Sequence, residues 1–568
     1  MQKSITCDVA IIGGGPAGST AGTLLKKYNP GLKVCIFERE IFPRDHIGES
    51  LLPPISKILH EMGCWDAIEA ANFPIKIGAT YRWGKTPQLW DFDFVPVAEY
   101  EEAPRPAQYE GQRVSTAFQV DRSIYDTILL THAENSGCQV FQGSKVAEVV
   151  VEGDEVQGLR LENGETVTAR HYVDASGNSG VLRRAMDIEC AYHPSLKNIA
   201  IWDYWQNADW AVKIGVGGTR IQVRTIPYGW IWFIPMGPTR TSIGLVTPVE
   251  YFKQSGKRPE ELYLQAVSDE ATVKSLLSTA TREELLKTTK DWSFTAAKNY
   301  GKNWYLIGEC AGFADPILSA GVTMAHTAGR ELAYTINEIE AGSDAAWLKE
   351  QFGSRQFQRI QTHIRFGDYW YTANEQLKDL KEFTTTLAEA CGLNLEPERA
   401  WDWISRGGFI DEDSFIGNGI FDLRSLKASK NFLTDLSFKS PFEKFNVFEL
   451  DLEGTREQFR ANYVDGKVKR VKCLVRENRV LPLTGVFELL VKMLQHEKSL
   501  SRLRGWLDHL LQEHASNKDF VEGVAPKFSV ALEAMVNDGW VKAHYDPQEP
   551  LSRPSAEFAG FHLNTDTA

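Results

Sequence analysis

Short apolar runs and helical periodicity divide the N-terminal part of the chain into alternating strands and helices. Apolar runs suited to buried parallel strands occupy residues 9–12 and 32–37, and a helix-compatible segment lies between them at residues 19–25. A further strand is predicted at residues 304–307, ahead of a helix at residues 323–339. This alternation predicts an α/β unit whose parallel sheet is covered by helices.

A different pattern fills the stretches between these segments. Apolar and polar residues alternate there and Trp and Tyr are frequent, as at residues 229–235. Alternation with a period of two predicts antiparallel strands. We therefore expect residues 1–345 to form one interleaved core. Residues 1–75, 120–190 and 295–345 would build its α/β unit, and an antiparallel sheet would cover the substrate side.

Helical periodicity continues beyond this core. It predicts a linking helix at residues 346–376 and a mainly helical C-terminal domain at residues 377–568. Within that domain we expect a strand at residues 468–475 and helices at residues 485–496, 499–515 and 531–540. The end of the domain resembles a small winged-helix module.

Composition and charge narrow the class of protein. A chain of 568 residues is too long for one compact core, and a net charge of −13 argues against a nucleic-acid partner. The eight cysteines lack metal-ligand spacing, which indicates reduced thiols and no bound metal. No signal-like segment precedes Asp8, and no apolar run is long enough to cross a bilayer. We therefore expect a cytoplasmic protein without membrane contact.

A glycine-rich turn follows the first apolar run. Gly13, Gly15 and Gly18 lie between a predicted strand and a predicted helix with the spacing Gly-x-Gly-x-x-Gly. The first glycine allows a tight turn, the second lets a pyrophosphate approach the backbone, and the third packs helix against strand. Glu38 ends the next strand about 20 residues further on, where an acid suits a ribose hydroxyl. These features predict a Rossmann-like domain that binds FAD or NAD.

Three further segments favour FAD. Residues 119–126, 173–177 and 308–316 resemble segments of the FAD-dependent aromatic hydroxylase superfamily. The resemblance implies flavin contacts at Arg122 and in the region of Asp315. Glu309 departs from the family, which usually has an aspartate there.

A second dinucleotide fingerprint is not visible in the sequence. The glycine cluster at residues 215–218 precedes a strand-like run, whereas a Rossmann turn requires a helix, so it predicts a hairpin turn. Reduced FAD would then come from a separate flavin reductase.

The stretch Gly229-Trp-Ile-Trp-Phe-Ile-Pro235 places Trp230, Trp232 and Ile234 on one face of a predicted strand. Taken alone, an aromatic strand of this kind is most often ordinary core. Its pattern Trp-x-Trp-x-Ile-Pro, however, resembles a signature of the flavin-dependent halogenases.

Companion segments extend this resemblance over roughly the first two thirds of the chain. They are residues 42–53, residues 73–78, and residues 313–321 with the pattern Phe-x-x-Pro-x-x-Ser-x-Gly. Lys76 falls at the position of the family's catalytic lysine. The resemblance is nearest to the branch that acts on phenolic or carrier-tethered substrates, such as the halogenases of the chondrochloren and chloramphenicol pathways.

The resemblance implies a reaction and roles for four residues. Reduced FAD and O2 would form a C4a-hydroperoxide, which chloride or bromide attacks to give hypohalous acid. Lys76 would receive the halogen, either as an ammonium that hydrogen-bonds hypohalous acid or as a neutral amine that forms a haloamine. Trp230 and Trp232 would separate flavin from substrate. Glu49 would position the flavin or orient a proton donor, or else cap the following helix.

The resemblance also implies the halide and cofactor contacts. Backbone amides of Ser319, Ala320 and Gly321 would bind halide ahead of a helix. The implied FAD contacts are Gly13, Gly15, Pro16, Ala17, Gly18, Glu38, Arg39, Arg44, Ser50, Arg122, Val146, Asp315, Gly321 and Val322. Asp291 is either a contact of the flavin ring or an acid in a strand-end turn.

Leu318 bears on the substrate. In tryptophan halogenases this position holds a glutamate that assists removal of the indole proton. Leucine here argues against tryptophan and favours a small electron-rich phenol or pyrrole, free or carrier-tethered, in natural-product biosynthesis.

Two alternatives stay open. The same fold could serve an FAD-dependent aromatic hydroxylase or a flavin-dependent reductase. The chain could also be a non-catalytic flavoprotein that binds a partner through residues 377–568. That region could otherwise form a lid over the substrate channel, a docking surface for a carrier protein or a stabilising appendage.

Overall fold

The computed structural model describes residues 4–372 and 444–550. Short gaps in that description lie at residues 84–88, 194–195, 211–212, 215–217, 291, 477–478, 515–527, 529–530, 533–534 and 537–538. The described residues divide into two compact units, the first ending at residue 372 and the second beginning at residue 444. No helix within these described ranges is both long and apolar enough to cross a membrane.

Five parallel strands form the centre of the first unit. In spatial order they are β21 (Trp304–Leu306), β11 (His171–Asp174), β2 (Val9–Ile12), β3 (Val34–Phe37) and β7 (Gln139–Phe141). The first four of these strands are buried along their whole length, which is why their sequences are continuous apolar runs rather than alternating ones. The predicted parallel sheet is confirmed.

Helices cover this sheet. The two that frame the glycine-rich turn, α1 (Pro16–Tyr28) and α9 (Gly321–Glu340), pack closely against each other, and α4 (Arg122–Asn135) packs on α1. The other helices of the unit are α2 (Pro54–Met62), α3 (Trp65–Ala70), α5 (Val181–Ala185), α6 (Val249–Ser255), α7 (Pro259–Asp269), α8 (Ala271–Leu276) and α10 (Ala345–Thr372). The predicted linking helix corresponds to α10, and residues 373–376 lie outside the described residues.

A large, mostly antiparallel sheet lies in the same unit. Its main path runs β18 (Thr281–Arg282), β13 (Asn198–Gln206), β17 (Arg240–Pro248), β16 (Gly229–Pro235), β15 (Gly218–Ile226), β4 (Ile75–Arg82) and β5 (Trp90–Asp93). Three short strands join it at the sides: β6 (Ala117–Phe118), β14 (Lys213–Ile214) and β19 (Lys287–Lys290). Within this sheet, the pair β15 and β4 is parallel.

The tryptophan strand β16 has the predicted alternation. Ile231 and Phe233 face a core that includes Leu262 and Tyr263 of α7. Trp230, Trp232 and Ile234 therefore point to the opposite face.

The unit also contains two smaller sheets. One consists of β1 (Ser4–Thr6), β10 (Thr166–Thr168), β9 (Glu155–Leu161) and β8 (Val146–Glu152), and the other of β12 (Cys190–Tyr192), β20 (Phe294–Ala296) and β22 (Gly312–Phe313).

The described part of the second unit contains more strand than the predicted, mainly helical domain. Its strands are β23 (Val447–Leu450), β24 (Arg456–Val464), β25 (Lys467–Arg476), β26 (Arg479–Pro482) and β27 (Val541–His544), and its helices are α11 (Gly485–Leu494) and α12 (Leu500–Glu513). Asp465 and Gly466 both have positive φ, as a two-residue hairpin turn requires, and this Asp-Gly signal was missed. Of the helix predicted at residues 531–540, residues 531–532 and 535–536 are helical, and residues 533–534 and 537–538 lie outside the described residues, as do residues 377–443.

Candidate active site

The glycine-rich turn leaves no room for side chains where the strand β2 enters α1. A Cβ on Gly13, whose φ is 106°, would lie 2.4 Å from the carbonyl oxygen of Ala175. A Cβ on Gly18 would lie 2.0 Å from the carbonyl oxygen of Gly13, so this glycine packs helix against strand as predicted. α1 then begins at Pro16, and its first N–H groups, which lack partners within the helix, can receive an anion.

A cavity of about 530 Å³ opens in front of this turn, and we call it the dinucleotide cavity. Eleven of the fourteen predicted FAD contacts line it: Gly13, Gly15, Pro16, Ala17, Glu38, Arg39, Arg44, Arg122, Val146, Gly321 and Val322. Glu38 lies at the end of β3, and its carboxylate accepts a hydrogen bond of 2.7 Å from the N–H of Gly14. The size of the cavity and its glycine and arginine residues fit a dinucleotide.

The other three predicted contacts lie elsewhere. Gly18 is used in packing, and Ser50 lines a neighbouring cavity. The structure does not bring Asp315 to either cavity. Its carboxylate instead accepts a hydrogen bond of 3.0 Å from the N–H of Ile317, which begins a short 3-10 turn, and faces Tyr371.

Arg122 ties the helix α4 to the segment ahead of Glu49. Its guanidinium contacts both carboxylate oxygens of Asp126, at 2.7 and 2.9 Å, and donates to the carbonyl oxygen of Ile47 at 2.7 Å. Arg44 approaches the same aspartate at 3.1 Å. Asp126 therefore holds two arginines at the dinucleotide cavity.

A second cavity, of about 450 Å³, adjoins the first, and we call it the tryptophan cavity. The two cavities share Arg122, Glu309, Gly321 and Val322. The aromatic residues that line the tryptophan cavity are Trp202, Trp230, Trp232, Trp292, Phe294 and Phe313. A cofactor that fills the dinucleotide cavity thus borders a chamber that six aromatic side chains help to line.

The two tryptophans of β16 form part of one wall of this chamber. Their ring centroids lie 6.0 Å apart, and the ring of Trp202 lies 6.4 Å from that of Trp232. Trp232 pairs across the sheet with Gly244, and a Cβ on Gly244 would lie 2.1 Å from the Trp232 ring. A glycine at this position of β17 therefore makes the space in which the indole lies.

Glu49 joins the tryptophan wall through hydrogen bonds. The indole N–H of Trp232 donates to the Ser242 hydroxyl at 3.1 Å, and that hydroxyl donates to Glu49 at 3.4 Å. Tyr204 donates to the same carboxylate oxygen at 3.2 Å. Burial raises the pKa of Glu49, of which only 2% is exposed. The backbone N–H groups of Glu49 and Gly48, the charge of Arg122 and the Tyr204 hydroxyl oppose the rise. Glu49 can therefore hold a proton beside the cavity.

Lys76 is buried on β4, with 1% of its surface exposed. Its ammonium donates to the carbonyl oxygen of Leu51 at 2.9 Å and lies 5.4 Å from the centroid of the Phe94 ring. Within the described ranges no acidic side chain pairs with it, and burial lowers its pKa from 10.5 to about 7. The neutral amine is thus accessible near physiological pH.

A β-bulge sets the direction of Lys76. Lys76 pairs with Thr219 and Gly78 pairs with Arg220, so Ile77 is the extra residue. Thr219 shares its face of β15 with Ile221 and Val223, which line the tryptophan cavity. Lys76 is therefore in register with the tryptophan face of the sheet, although it does not itself line that cavity.

The predicted halide donors lie at the start of α9. Ser319 and Gly321 line the tryptophan cavity, and Ser319 has a left-handed backbone with φ 57°. The N–H of Ser319 already donates to the carbonyl oxygen of Pro316 at 2.9 Å. Ala320 is the N-cap residue of α9 and Gly321 is its first residue, so their N–H groups lack helical acceptors. The available amides are thus those of Ala320 and Gly321.

Glu309 lines both cavities, and its burial raises the pKa of its carboxyl against the opposing charge of Arg122. Although this position holds glutamate instead of aspartate, its carboxyl still lies at the dinucleotide cavity.

Asp291 lies outside the described residues. Sequence reasoning missed Ser242, Gly244 and Tyr371. The small residues Ser242 and Gly244, which pair with Ile234 and Trp232 across the sheet, were the available signal for the first two.

Comparison with known proteins identifies the family. The profile of the tryptophan halogenase family matches residues 8–109 and 99–379. A tryptophan 2-halogenase of Chondromyces crocatus is 32% identical over 366 residues, and the match covers 63% of this chain and 66% of that protein, just under two thirds of its length. A 1H-pyrrole-2-carbonyl-(peptidyl-carrier protein) chlorinase of Pseudomonas fluorescens is 33% identical over 379 residues, covering 64% of this chain and 82% of that protein.

Solved structures agree with this assignment. The myxobacterial chondrochloren halogenase CndH superposes with a TM-score of 0.58 at 29% identity, covering 68% of this chain and 90% of that chain. The flavin-dependent halogenase CmlS shares the fold, with a TM-score of 0.69 at 22% identity over 98% of this chain and 99% of its own. The resemblance found in the motifs is confirmed, and this chain belongs to the tryptophan halogenase family of flavin-dependent halogenases.

Proposed function

We propose that the chain is an FAD-dependent halogenase that uses O2 and chloride or bromide to halogenate an electron-rich aromatic ring. The observation that carries the proposal is Lys76, a lysine that is buried on the tryptophan face of the sheet with no counter-ion among the residues that the structure describes. Burying an unpaired amine costs stability, and such groups are characteristic of functional sites.

FAD would be held by the glycine-rich turn, Glu38 and the arginines of the dinucleotide cavity. Reduced FAD, once bound, supplies the electrons that activate O2 for halide oxidation. The start of α9 would bind the halide through the N–H groups of Ala320 and Gly321. Glu49, which burial keeps able to carry a proton, would supply it within the adjoining chamber.

Lys76 would carry the halogen as its neutral amine. Attack of the amine on hypohalous acid forms a nitrogen–halogen bond and breaks the oxygen–halogen bond, and the displaced hydroxide takes the amine proton as water. The ring carbon of the substrate then takes the halogen, the ring loses its proton, and the amine is restored. The carbonyl of Leu51 orients the amine for both steps.

Trp230 and Trp232 would keep the substrate away from the cofactor. Two rigid indoles held 6.0 Å apart exclude an aromatic ring from the wall they occupy. Hypohalous acid is small enough to pass where the ring is not. The wall would thus favour halogenation over hydroxylation.

Leu318 and one relative support the proposed substrate class. Leu318 replaces the glutamate expected for tryptophan, which favours a phenol or pyrrole that activates itself. One relative acts by name on a carrier-bound pyrrole, so a carrier-tethered substrate is part of the proposal.

Because a second dinucleotide fingerprint is not visible in the sequence, a separate reductase would supply reduced FAD.

The test is a product assay with reduced FAD from an added flavin reductase, O2, bromide or chloride, and a panel of phenols and pyrroles. Mass spectrometry should find halogenated product with the wild type. It should find none with Lys76→Ala, or with Lys76→Arg as the matched variant that retains charge but cannot form a haloamine. Bound flavin should be unchanged in both variants. Oxygenated product without halogen would contradict the proposal, as would full activity of either variant.

A further inference from the structure

Tyr371, in the last turn of α10, joins three parts of the fold at one hydroxyl group. The indole N–H of Trp230 donates to this hydroxyl at 2.7 Å. The hydroxyl in turn donates to Asp315, with both carboxylate oxygens 3.1 Å away. Trp230 belongs to the wall of the tryptophan cavity, and Asp315 to the segment that leads into α9. One tyrosine thus connects the wall to the start of that helix.

Asp315 is an unusual acceptor because it is buried without a cation. Only 4% of it is exposed, and no basic side chain in the described part of the chain pairs with it. The groups that face it are Tyr371 from α10, Trp292, Asn198 from β13 and the backbone N–H of Ile317, none of which is charged. Burial raises the pKa of Asp315 to about 7. The pKa of Tyr371 is raised well above its ordinary value, so the tyrosine stays neutral.

We propose that Tyr371 and Asp315 are positioning residues that hold Trp230 in the cavity wall, and that the protonation state of Asp315 decides how firmly they hold it. The ionised carboxylate only accepts, so the Tyr371 proton points to it and the oxygen lone pairs stay open to the indole N–H. A protonated Asp315 is a weaker acceptor for the Tyr371 proton and can donate its own proton to the tyrosine oxygen. That second donor competes with the indole N–H for the oxygen lone pairs, which weakens the bond to Trp230.

This arrangement links the two sides of the chamber. Asp315 caps the 3-10 turn Pro316–Leu318 through the N–H of Ile317, and that turn leads directly to Ser319 and Gly321. A change in the protonation of Asp315 therefore affects both the tryptophan wall and the backbone amides that begin α9. The consequence for catalysis rests on the proposed function, whereas the consequence for Trp230 does not.

The first experiment reads the position of Trp230 directly. Protein labelled with 5-fluorotryptophan is titrated by fluorine NMR, and the Trp230 signal is assigned by its loss in Trp230→Phe. We expect this signal to move with a midpoint near pH 7 in the wild type, and the movement to vanish in Tyr371→Phe. Trp304, whose N–H donates to Asp154 at 3.2 Å, serves as a buried control that should not follow the same titration. A Trp230 signal that is independent of pH, or identical in Tyr371→Phe, would overturn the proposal.

The second experiment measures coupling, the fraction of reduced flavin consumed that ends as halogenated product. Loss of one hydrogen bond should lower coupling by about 2- to 10-fold in Tyr371→Phe, and Trp230→Phe should give a similar loss. In Asp315→Asn, if it folds, the pH dependence of coupling should follow Lys76 alone. Unchanged coupling in Tyr371→Phe with normal flavin binding would refute the positioning role. If the wild type makes no halogenated product, the proposed function fails, while the NMR titration still decides the positioning role.

Discussion

Lys76 should titrate near neutral pH, and a carboxylate placed beside it should move that titration upward. Burial lowers the pKa of Lys76 from 10.5 to about 7. At pH 7 about half of the amine would then be neutral, against roughly one part in 3,000 for an ordinary lysine. Burial alone therefore raises the amount of nucleophilic amine by about a thousandfold. If the halogen passes through this amine, the rate of halogenation must follow its titration.

Thr219 is the position from which to perturb this pKa. It pairs directly with Lys76 on the neighbouring strand, and its own side chain is fully buried. Thr219→Asp would place a negative charge within a few ångströms of the ammonium, which raises a lysine pKa by about 1 to 3 units. Thr219→Asn is the matched control, because it has nearly the same shape and adds no charge.

The assay is a single turnover with a fixed amount of reduced FAD, run at pH values from 6 to about 10. Samples are quenched at successive times to give the rate of halogenation at each pH. The neutral amine is the reactive form, so the wild-type rate should rise through pH 7 and then level off. The midpoint should lie about 1 to 3 pH units higher in Thr219→Asp and be unchanged in Thr219→Asn. The rate of flavin reoxidation, measured in parallel, reports any separate effect of pH on the cofactor.

Two results would refute this reasoning. A wild-type rate that falls through pH 7 would show that the ammonium, rather than the amine, is the active form. Equal midpoints in Thr219→Asp and Thr219→Asn would show that the titration does not belong to Lys76.

Three further predictions concern other parts of the site. Gly13→Ala should lose bound FAD, seen in the visible flavin spectrum, because the new Cβ would lie 2.4 Å from the Ala175 carbonyl oxygen; normal flavin content would contradict the predicted cradle. Gly244→Ala should displace the Trp232 ring and lower coupling to halogenated product at unchanged flavin binding, whereas equal coupling would show that the wall tolerates movement. Lys76→Met should stabilise the protein by about 4 kcal/mol near pH 7, an advantage that disappears toward pH 10.5, as measured by thermal unfolding at several pH values. The pKa of Lys76 is lower in the folded state than in the unfolded state, so the unfolded chain binds more protons between pH 7 and 10.5. The free energy of unfolding of the wild type therefore rises with pH in that window.

The dinucleotide half of the site was predictable because its signals are local. A buried strand, a glycine turn and a helix follow one another from Val9 to Tyr28, and the structure shows a steric reason for Gly13 and for Gly18. Glu38 lies one strand further on, at a distance set by the length of α1 and its return. Consecutive residues determine local geometry of this kind, so their spacing alone predicts it.

The C-terminal unit shows how charge can hide a local signal. In β24 and β25, Tyr463 and Cys473 are buried while many of their neighbours are exposed lysines and arginines, which is a strand pattern with a weak apolar face. Only the single strand at residues 468–475 was predicted there. The turn at Asp465 and Gly466 carried the missing information, since successive positive φ values favour this pair of residues.

The chemistry of Asp315 could not be read from its neighbours in sequence. Resemblance assigned it to the cofactor, yet its hydroxyl partner Tyr371 lies 56 residues further along the chain. Likewise Lys76 faces the tryptophan side only because a bulge at Ile77 changes the alternation of β4. Both features depend on how distant segments are brought together in the fold. The motifs thus identify which residues are special, whereas the pairing of strands and the packing of α10 determine whether a carboxylate meets a cofactor or a tyrosine, and whether a lysine is buried alone.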